Sequence, residues 1–332
     1  MRGCVRYISF MQTRTLPHTG LTVSRACFGT MTFGGQVDQD AAGRIVDLCL
    51  DRGINFFDTA NSYTKTQSET ILGQVLKGRR DRIVLASKVG VKTGEPAGVS
   101  PLSRKSILEN LDNSLRRLQT EYLDIYYLHM PDYEAPIEES LAAMDEAVRA
   151  GKVRYPAMSN YAAWQYCQAL WISEKRGYKP PQSSQPMYNL LARGIEQEFL
   201  PFCKAFGIST IVYNPLAGGL LTGKHNPERP LPGTRFDANQ MYLDRYWHPA
   251  YFEAVDQLQA IAEKCGRSLI DLALNWLLFH TSTDCVILGA SKIEQLEQSL
   301  DVFGKAALDA ETLAAVDQVW QNLRGVTPRY NR

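Results

Sequence analysis

Apolar residues recur at helical spacing in some segments of this chain and form short, nearly continuous runs in the segments between them. One helical face consists of Ala42, Ile45, Val46, Cys49 and Leu50. Similar faces lie within residues 108–118 and 137–148. The strand-like runs cover residues 26–31, 54–59, 83–89, 123–129, 153–159, 183–188, 209–213 and 285–288. Strands that alternate with helices in this way predict an α/β fold, a closed (β/α)8 TIM barrel rather than an open sheet.

Two further segments lie outside this alternation. Residues 14–24, with Thr19-Gly20 at their centre, predict a small β-hairpin before the first barrel strand. The connection of residues 214–284, before the last strand, begins rich in glycine and proline. It then predicts extra helices around residues 252–262 and 269–279. A long barrel loop of this kind is typical of ligand binding.

The chain shows no linker that would divide it into two domains. We expect residues 14–332 to form a single barrel domain with an extra helix at its C-terminus. Residues 1–13 carry no helical or strand pattern and are expected to be a disordered extension.

Composition and charge exclude several function classes. The net charge is +1 and no dense basic cluster occurs, so a nucleic-acid partner is not expected. No apolar run reaches the roughly 18 residues that a membrane-spanning helix needs. The seven cysteines lie far apart without a CxxC pair, which indicates reduced thiols in the cytoplasm and no metal site.

Candidate chemistry lies at the ends of successive strand-like runs. The runs that begin at residues 54, 83 and 123 lead into Asp58, Lys88 and His129, and the next leads into Ser159-Asn160. A charge at the end of a buried apolar run is costly unless it has a partner. Because the carboxyl ends of parallel barrel strands share one rim, we expect these side chains to open onto one site.

Together with Tyr63, these groups suit the reduction of a carbonyl. An ammonium at Lys88 favours the phenolate and would lower the pKa of Tyr63, with Asp58 keeping Lys88 charged and oriented. His129 could then hydrogen-bond the substrate carbonyl. Each residue alone also has a structural explanation. Asp58 could cap a turn, and Lys88 could be a solvated charge at a strand end. His129 could be a hydrogen-bonded core histidine, and Tyr63 could simply pack.

The segments that carry these residues resemble the aldo-keto reductases. The matching motifs are FFDTANSY at 56–63 with SETILG at 68–73, ASKV at 86–89 and DIYYLH at 124–129. The resemblance covers roughly residues 14–331. It implies that Tyr63 is the catalytic proton donor, that Lys88 and Asp58 tune its pKa, and that His129 orients the substrate.

The cofactor cannot be held by a GxGxxG turn after a strand or by a GxxxxGK[ST] loop, because the chain contains neither. Two other segments could approach phosphates: the glycine-rich loop 214–224, and residues 287–292 at the start of a helix. By the resemblance these segments hold NADPH across the barrel mouth.

The resemblance also assigns individual residues to NADPH. It implies that Ser159, Asn160 and Gln185 hold the carboxamide and that Tyr213 stacks on the nicotinamide. Arg235, Ser291 and Lys292 would face the adenosine 2′-phosphate, and Gln295 and Gln298 would lie near adenine. The other cofactor-binding residues that it implies are Thr30, Met31, Asp58, Asn214, Pro215, Leu216, Gly218, Leu220, Gly223, Lys224 and Gly289.

Three segments are similar in sequence to the branch of this family that contains aflatoxin-aldehyde and succinic-semialdehyde reductases. They are residues 214–224, 291–298 and the tail 328–332. In that branch, residues equivalent to Tyr242 and Arg245 approach the substrate. Arg245 could therefore bind a carboxylate-bearing aldehyde bidentately. A surface arginine in a mobile loop is the alternative.

Two departures from the family pattern bear on the site. Residues 64–67 read Thr-Lys-Thr-Gln where relatives often carry a glycine-containing turn, so the loop after Tyr63 is expected to be positioned differently. Pro156-Ala157 replaces an apolar-glycine pair just before Ser159. Proline donates no ladder hydrogen bond, which bears on the strand that leads to the carboxamide residues.

The favoured hypothesis is an NADPH-dependent reductase that acts on a small-molecule aldehyde or ketone. A second hypothesis is a cofactor-sensing interaction protein, like the channel-associated β subunits that retain this barrel. A barrel hydrolase would need a second acidic residue at a strand end, where Lys88 and His129 occur instead. A homo-oligomer is left open.

Overall fold

A computed structural model of the protein describes residues 11–328 apart from Glu95, Ala97 and Ala238. A short antiparallel hairpin comes first, formed by β1 (Thr13–Thr15) and β2 (Thr22–Ser24). The hairpin therefore begins one residue earlier than predicted. Of the predicted disordered extension, residues 1–10 lie outside the described residues.

The hairpin closes one end of the barrel. Leu16, Leu21 and Val23 are buried in one cluster with inward-facing barrel residues such as Phe56 and Ile125. The turn is held locally, because the Thr19 hydroxyl donates to the Leu16 carbonyl at 2.8 Å and accepts from the Leu21 N–H at 3.0 Å. Since the hairpin leads directly into the first barrel strand, it closes the amino end and leaves the carboxyl end open.

Eight parallel strands form the closed barrel, as the alternation predicted. Successive strands are neighbours, and the last strand pairs with the first. Several strands are shorter than their apolar runs, because residues at the run ends continue into loops. The strands are β3 (Ala26–Gly29), β4 (Phe56–Asp58), β5 (Val84–Val89), β6 (Leu123–Leu128), β7 (Val153–Ser159), β8 (Ser183–Gln185), β9 (Ser209–Val212) and β10 (Cys285–Leu288).

Helices surround the barrel and bury the faces that the sequence indicated. The first helix buries Ala42, Ile45, Val46 and Cys49, and Asp38 caps its N-terminus. The extra helices before the last strand and at the C-terminus are also present. The α-helices in the described part of the chain are α1 (Gln39–Asp51), α2 (Gln67–Val75), α3 (Arg104–Leu118), α4 (Ile137–Arg149), α5 (Ala163–Arg176), α6 (Phe199–Phe206), α7 (Gln240–Tyr246), α8 (Pro249–Lys264), α9 (Leu269–His280), α10 (Ile293–Asp301) and α11 (Ala310–Arg324). None of the described helices is both long and apolar enough to cross a bilayer.

Strand β7 continues through its proline without interruption. The Pro156 carbonyl accepts from the Gln182 N–H at 2.9 Å, and Pro156 is paired with Tyr126 in the β6–β7 ladder. The pairing of β7 with β8 begins at the next residue, where Ala157 lies opposite Ser183. The proline therefore does not interrupt the strand that leads to Ser159.

An ion cluster ties β6 to its neighbours at the closed end of the barrel. Asp124 is 1 % exposed and accepts from Arg80 at 2.8 Å, from Arg154 at 2.9 Å and from the Leu85 N–H at 2.9 Å. The guanidinium carbons of Arg80 and Arg154 also lie 4.0 and 4.5 Å from the centre of the Tyr122 ring. The carboxylate therefore neutralises two arginines and completes one backbone hydrogen bond.

Replacing this carboxylate tests the cluster. We expect Asp124→Ala to lower the free energy of unfolding by about 3–5 kcal/mol, because it removes the partner of two arginines and of one amide. Urea unfolding measures the change. The matched control is Asp112→Ala, which removes the partner of Lys152 in a half-exposed pair, where about 0–1 kcal/mol is expected. Equal losses in the two variants would contradict the structural role of Asp124.

Candidate active site

Four predicted side chains gather at the open end of the barrel. Asp58 ends β4, Lys88 lies one residue before the end of β5, and His129 follows β6 directly. Lys88 and Asp58 are 0 and 1 % exposed. The Lys88 ammonium donates to an Asp58 carboxylate oxygen, to the Thr59 carbonyl at 2.9 Å and to the Tyr63 hydroxyl at 3.0 Å. All three donor positions of the ammonium are therefore used within the site.

The pKa of Tyr63 shifts in the direction opposite to that predicted. Burial has the largest effect on the pKa of Tyr63 and raises it, whereas the Lys88 ammonium lowers it and Asp58 raises it again. The net direction is upward, because burial and the charge of Asp58 together outweigh the effect of the Lys88 ammonium. Tyr63 is therefore a protonated phenol at neutral pH, next to a cation that can stabilise the phenolate once the proton leaves.

The charge on Lys88 is maintained by its partners. Burial alone would lower the pKa of Lys88, but the charges of Asp58 and then Tyr63 raise it above its ordinary value. The second Asp58 oxygen accepts from the Gln185 side-chain amide at 2.9 Å. Both carboxylate oxygens thus have a donor, which fixes the orientation of the carboxylate behind the lysine.

His129 faces the tyrosine as a neutral imidazole. Its ring meets the Tyr63 ring edge-on with 5.9 Å between the ring centres. Burial, followed by the charge on Lys88, lowers the pKa of His129 to about 3. The buried Nδ1 has no hydrogen-bond partner among the described residues. A neutral imidazole can donate one hydrogen bond to a carbonyl oxygen without moving a proton.

The residues expected to hold the carboxamide lie on the neighbouring strand ends. The Ser159 hydroxyl donates to the Gln185 carbonyl at 2.9 Å, and the Asn160 amide donates to the His129 carbonyl at 2.9 Å. The Tyr213 hydroxyl donates to the Asn160 side chain at 2.7 Å. The Asn160 amide also donates to the Ser159 hydroxyl at 3.1 Å, so hydrogen bonds join these four residues into one continuous rim. Gln185 also contacts Asp58, a second contact that its strand-end position did not reveal.

The glycine-rich loop after β9 approaches the same rim. Gly218, Gly219 and Gly223 have φ values of 71°, 111° and 72°. A Cβ on Gly218 would lie 2.8 Å from the Tyr242 ring, so the loop packs directly on this aromatic residue. The buried side-chain amide of Asn214, at the start of the loop, has no partner for its nitrogen among the described residues. Of the other loop residues assigned to the cofactor, Leu220 is buried, Pro215 and Leu216 are buried or partly buried, and Lys224 is exposed.

Tyr242 and its two arginines join the substrate and cofactor candidates. The Arg235 guanidinium donates to the Tyr242 hydroxyl at 3.2 Å, and Arg245 lies 5.8 Å from the centre of the same ring. A Cβ on Gly289 would lie 3.3 Å from an Arg235 nitrogen, so this guanidinium also adjoins the end of β10. There Gln295 accepts from the Ser291 N–H at 2.9 Å. The remaining candidates at this end, Lys292 and Gln298, are exposed at and beyond the N-terminus of α10.

Thr30 and Met31 follow β3 directly. Thr30 is buried, and its N–H donates to the Asp58 carbonyl at 2.9 Å. Met31 is 36 % exposed at the barrel mouth. Among the described residues, no group of three or more His, Cys, Asp or Glu side chains could hold a metal ion. The sequence did not indicate the Thr59 carbonyl as a lysine partner, because a backbone atom leaves no signal in residue type.

Comparison with known proteins identifies the family. The family model described as "Aldo/keto reductase family" matches residues 25–321. The chain belongs to the aldo/keto reductase family. It is 36% identical to aflatoxin B1 aldehyde reductase member 2 of Homo sapiens over 322 residues, 92% of this chain and 88% of the relative. The resemblance inferred from the motifs is thereby confirmed.

Other members of this family show comparable identity. The chain is 34% identical over 319 residues to the aldo-keto reductase YhdN of Bacillus subtilis, covering 94% of each chain. It is also 35% identical over 302 residues to a protein of Arabidopsis thaliana named as a probable voltage-gated potassium channel subunit beta, covering 87% of this chain and 90% of the relative.

Proposed function

We propose that this protein reduces aldehydes or ketones to alcohols, with NADPH as the hydride source and Tyr63 as the proton donor. Membership of the aldo/keto reductase family and similarity to aldehyde reductases support carbonyl reduction in general. The observation that carries the finer proposal is the Tyr63 hydroxyl, 3.0 Å from a buried lysine that is itself paired with a buried carboxylate.

The proposed roles follow from charge and protonation. The raised pKa of Tyr63 keeps a proton available on the phenol at neutral pH. Lys88 stabilises the phenolate that remains after proton transfer, and Asp58 keeps Lys88 charged. Neutral His129 donates a hydrogen bond to the substrate oxygen and so holds the carbonyl near the phenol. Proton donation and charge stabilisation therefore act on the same substrate oxygen.

A nicotinamide cofactor would supply the hydride when bound at the rim. Three features support a fit: glycines 218, 219 and 223 let backbone approach a phosphate closely, Arg235 adjoins the end of β10, and the Asn214 amide nitrogen has no hydrogen-bond partner within the described part of the chain. We propose that Ser159, Asn160, Gln185 and Tyr213 hold the nicotinamide end. Arg235, Ser291 and Lys292 would hold the 2′-phosphate, because guanidinium and ammonium groups form strong charge-assisted bonds to phosphate.

The 2′-phosphate proposal predicts a selective defect. We expect Arg235→Ala to raise the KM for NADPH by roughly 10- to 100-fold, because a charge-assisted contact is lost. The KM for NADH, which lacks this phosphate, should change by less than about threefold. Steady-state kinetics with both cofactors measures the difference. Arg229→Ala, an exposed arginine earlier in the same loop, is the control and should leave both values unchanged. Equal increases for NADPH and NADH would contradict the assignment.

The substrate class is proposed from Arg245. Its guanidinium lies 5.8 Å from the ring of Tyr242, which packs on the glycine-rich loop. We propose that it binds a carboxylate on an aldehyde substrate bidentately. The direct test is a substrate panel with NADPH that pairs each carboxylate-bearing aldehyde with its uncharged analogue, for example 4-carboxybenzaldehyde with benzaldehyde. A lower KM for the charged member supports the proposal.

The same panel decides between two kinds of protein. Similarity to a probable channel β subunit favours a second candidate, a cofactor-binding interaction protein. Turnover of any member of the panel with NADPH supports the reductase. Tight NADPH binding, measured by fluorescence, without turnover of any aldehyde or ketone would favour the interaction protein.

A further inference from the structure

The turn after Tyr63 has an unusual backbone. Thr64, Lys65 and Thr66 have φ values of 45°, 53° and 73°, so three successive residues with side chains adopt the left-handed conformation. Helix α2 then begins at Gln67. L-residues rarely adopt this conformation, and a consecutive run of them persists only where the surrounding structure holds it. Something outside the turn must therefore hold the backbone that carries the phenol.

The loop between β3 and α1 supplies that contact. The Thr64 hydroxyl donates to the Phe33 carbonyl at 2.6 Å. Cβ atoms on Gly34 and Gly35 would lie 3.3 Å from the Thr64 hydroxyl oxygen and 3.2 Å from its methyl carbon, so both glycines leave room for this side chain. One threonine thus contacts the loop through its hydroxyl and its methyl group.

The β3–α1 loop is itself attached to the rim of the barrel. The Thr32 hydroxyl donates to the Ala290 carbonyl, just after β10, at 2.9 Å. The Thr30 N–H donates to the Asp58 carbonyl at 2.9 Å. The loop therefore links Thr64 to β10 and to the strand end that carries the Lys88 partner. It is a fixed support rather than a free segment.

We propose that Thr64 is a positioning residue that acts through Tyr63. Its hydroxyl holds the left-handed turn against the Phe33 carbonyl and so keeps the phenol within hydrogen-bonding distance of Lys88. The inference rests on the proposed role of Tyr63 as proton donor. Thr64 itself does not approach the substrate oxygen; it restricts where the phenol can lie.

A pair of substitutions separates the hydroxyl from the rest of the side chain. Thr64→Val removes the hydroxyl that donates to the Phe33 carbonyl and keeps the branched shape of the side chain. We expect kcat to fall on the order of tenfold, because the Tyr63 hydroxyl is then displaced. The KM for the aldehyde and the Kd for NADPH should stay within about twofold, since Thr64 is not among the residues assigned to either site. Thr64→Ser keeps the hydroxyl and should restore kcat to within about twofold of the parent protein. Lys65→Ala changes an exposed side chain in the same turn and is the control.

A double variant tests whether Thr64 acts through the phenol. Single-turnover rates of Tyr63→Phe and of Tyr63→Phe/Thr64→Val should agree, because a positioning effect disappears once the positioned hydroxyl is gone. A slower double variant would overturn the proposal, as would an undiminished kcat in Thr64→Val or an equal loss in Thr64→Ser. If Thr64→Val does not fold, Thr64→Ala carries the same expectations. Failure of the proposed proton-donor role of Tyr63 appears separately, as full activity in Tyr63→Phe alone.

Discussion

Tyr63→Phe is expected to lower kcat for aldehyde reduction by about 10²–10⁴, the range that a positioned proton donor supplies. The ring remains, and with it the edge-on contact to His129, whose ring centre lies 5.9 Å away. Only the hydroxyl that meets the Lys88 ammonium at 3.0 Å is removed. Binding of NADPH, followed by fluorescence, should change by less than about threefold, because the loss concerns proton transfer. Stopped-flow single turnovers measure the chemical step directly.

The control for this variant is Tyr133→Phe, which removes a hydroxyl from a tyrosine that is 84 % exposed and lies after β6. It should keep the kcat of the parent protein. Full turnover in Tyr63→Phe would remove the basis for the proton-donor proposal. A loss confined to KM would instead place Tyr63 in substrate binding.

The pH dependence of kcat follows from the same two residues. Because the pKa of Tyr63 is raised above its ordinary value near 10, its proton is lost only at high pH, and kcat should not fall through Tyr63 between about pH 6 and 9. The pKa of His129, lowered to about 3, leaves the imidazole neutral across this range, so no decline should centre on pH 6.5. A phenol pKa below 7 would instead produce an early loss of reduction with rising pH. The pH profile of kcat thus shows whether burial raises the pKa of Tyr63 or whether Lys88 lowers it below its ordinary value.

The barrel could be predicted from the sequence because it depends on repeated local patterns. The face of α1 and the eight strand-like runs each follow from the spacing of apolar residues. The strand ends were less accurate: the run at residues 54–59 has only Phe56–Asp58 in the sheet. Where a run leaves the sheet depends on its neighbours, and residue type does not record the length of a partner strand.

Much of the candidate site was also visible, because a polar residue after a buried strand must find a partner. This reasoning brought Asp58, Lys88 and His129 together with Tyr63, and the structure gathers them. The net direction of the Tyr63 pKa was wrong: Lys88 does lower it, but burial of the phenol and the charge of Asp58 together raise it further. Both are quantities of the folded site.

Two local geometries could not be predicted from the sequence. The left-handed turn at residues 64–66 contains no glycine, which is the usual signal for such a backbone. The continuity of β7 through Pro156 depends on its pairing with the neighbouring strands β6 and β8. In both cases the departure from the family pattern was apparent in the sequence, whereas its compensation depends on residues far along the chain or across the sheet.

Lys88→Met is expected to damage both activity and stability, unlike Tyr63→Phe. The variant leaves the Asp58 carboxylate, 1 % exposed, with the Gln185 amide as its remaining side-chain donor. Removing one partner of a buried ion pair costs about 3–5 kcal/mol, and we expect a decrease of this size in the free energy of unfolding. The variant also lacks the cation that would stabilise the phenolate of Tyr63. We therefore expect kcat to fall by about 10²–10³, the loss seen when an enzyme loses one group that stabilises charge in the transition state.

The dependence of this defect on pH identifies its cause. In the parent protein the pKa of Lys88 is raised, so its stabilising effect is fully present below the unfolded value near 10.4 and is lost only as pH rises through the folded pKa. In Lys88→Met the unpaired Asp58 should instead favour its protonated form, so the variant should recover stability as pH falls from about 8 to 5. Urea unfolding at both pH values tests this. Lys152→Met, whose partner Asp112 is half exposed, is the control and should cost about 0–1 kcal/mol.

A double variant completes the argument for a pair rather than for two separate charges. Asp58→Asn/Lys88→Met contains neither charge, so its loss of stability should be smaller than the sum of the two single losses. Its kcat should stay as low as that of Lys88→Met, because an uncharged interior cannot stabilise the phenolate of Tyr63. Additive losses of stability would mean that Asp58 and Lys88 contribute independently. In that case the short contact between them would not explain why a lysine with no exposed surface remains charged beside the proposed proton donor.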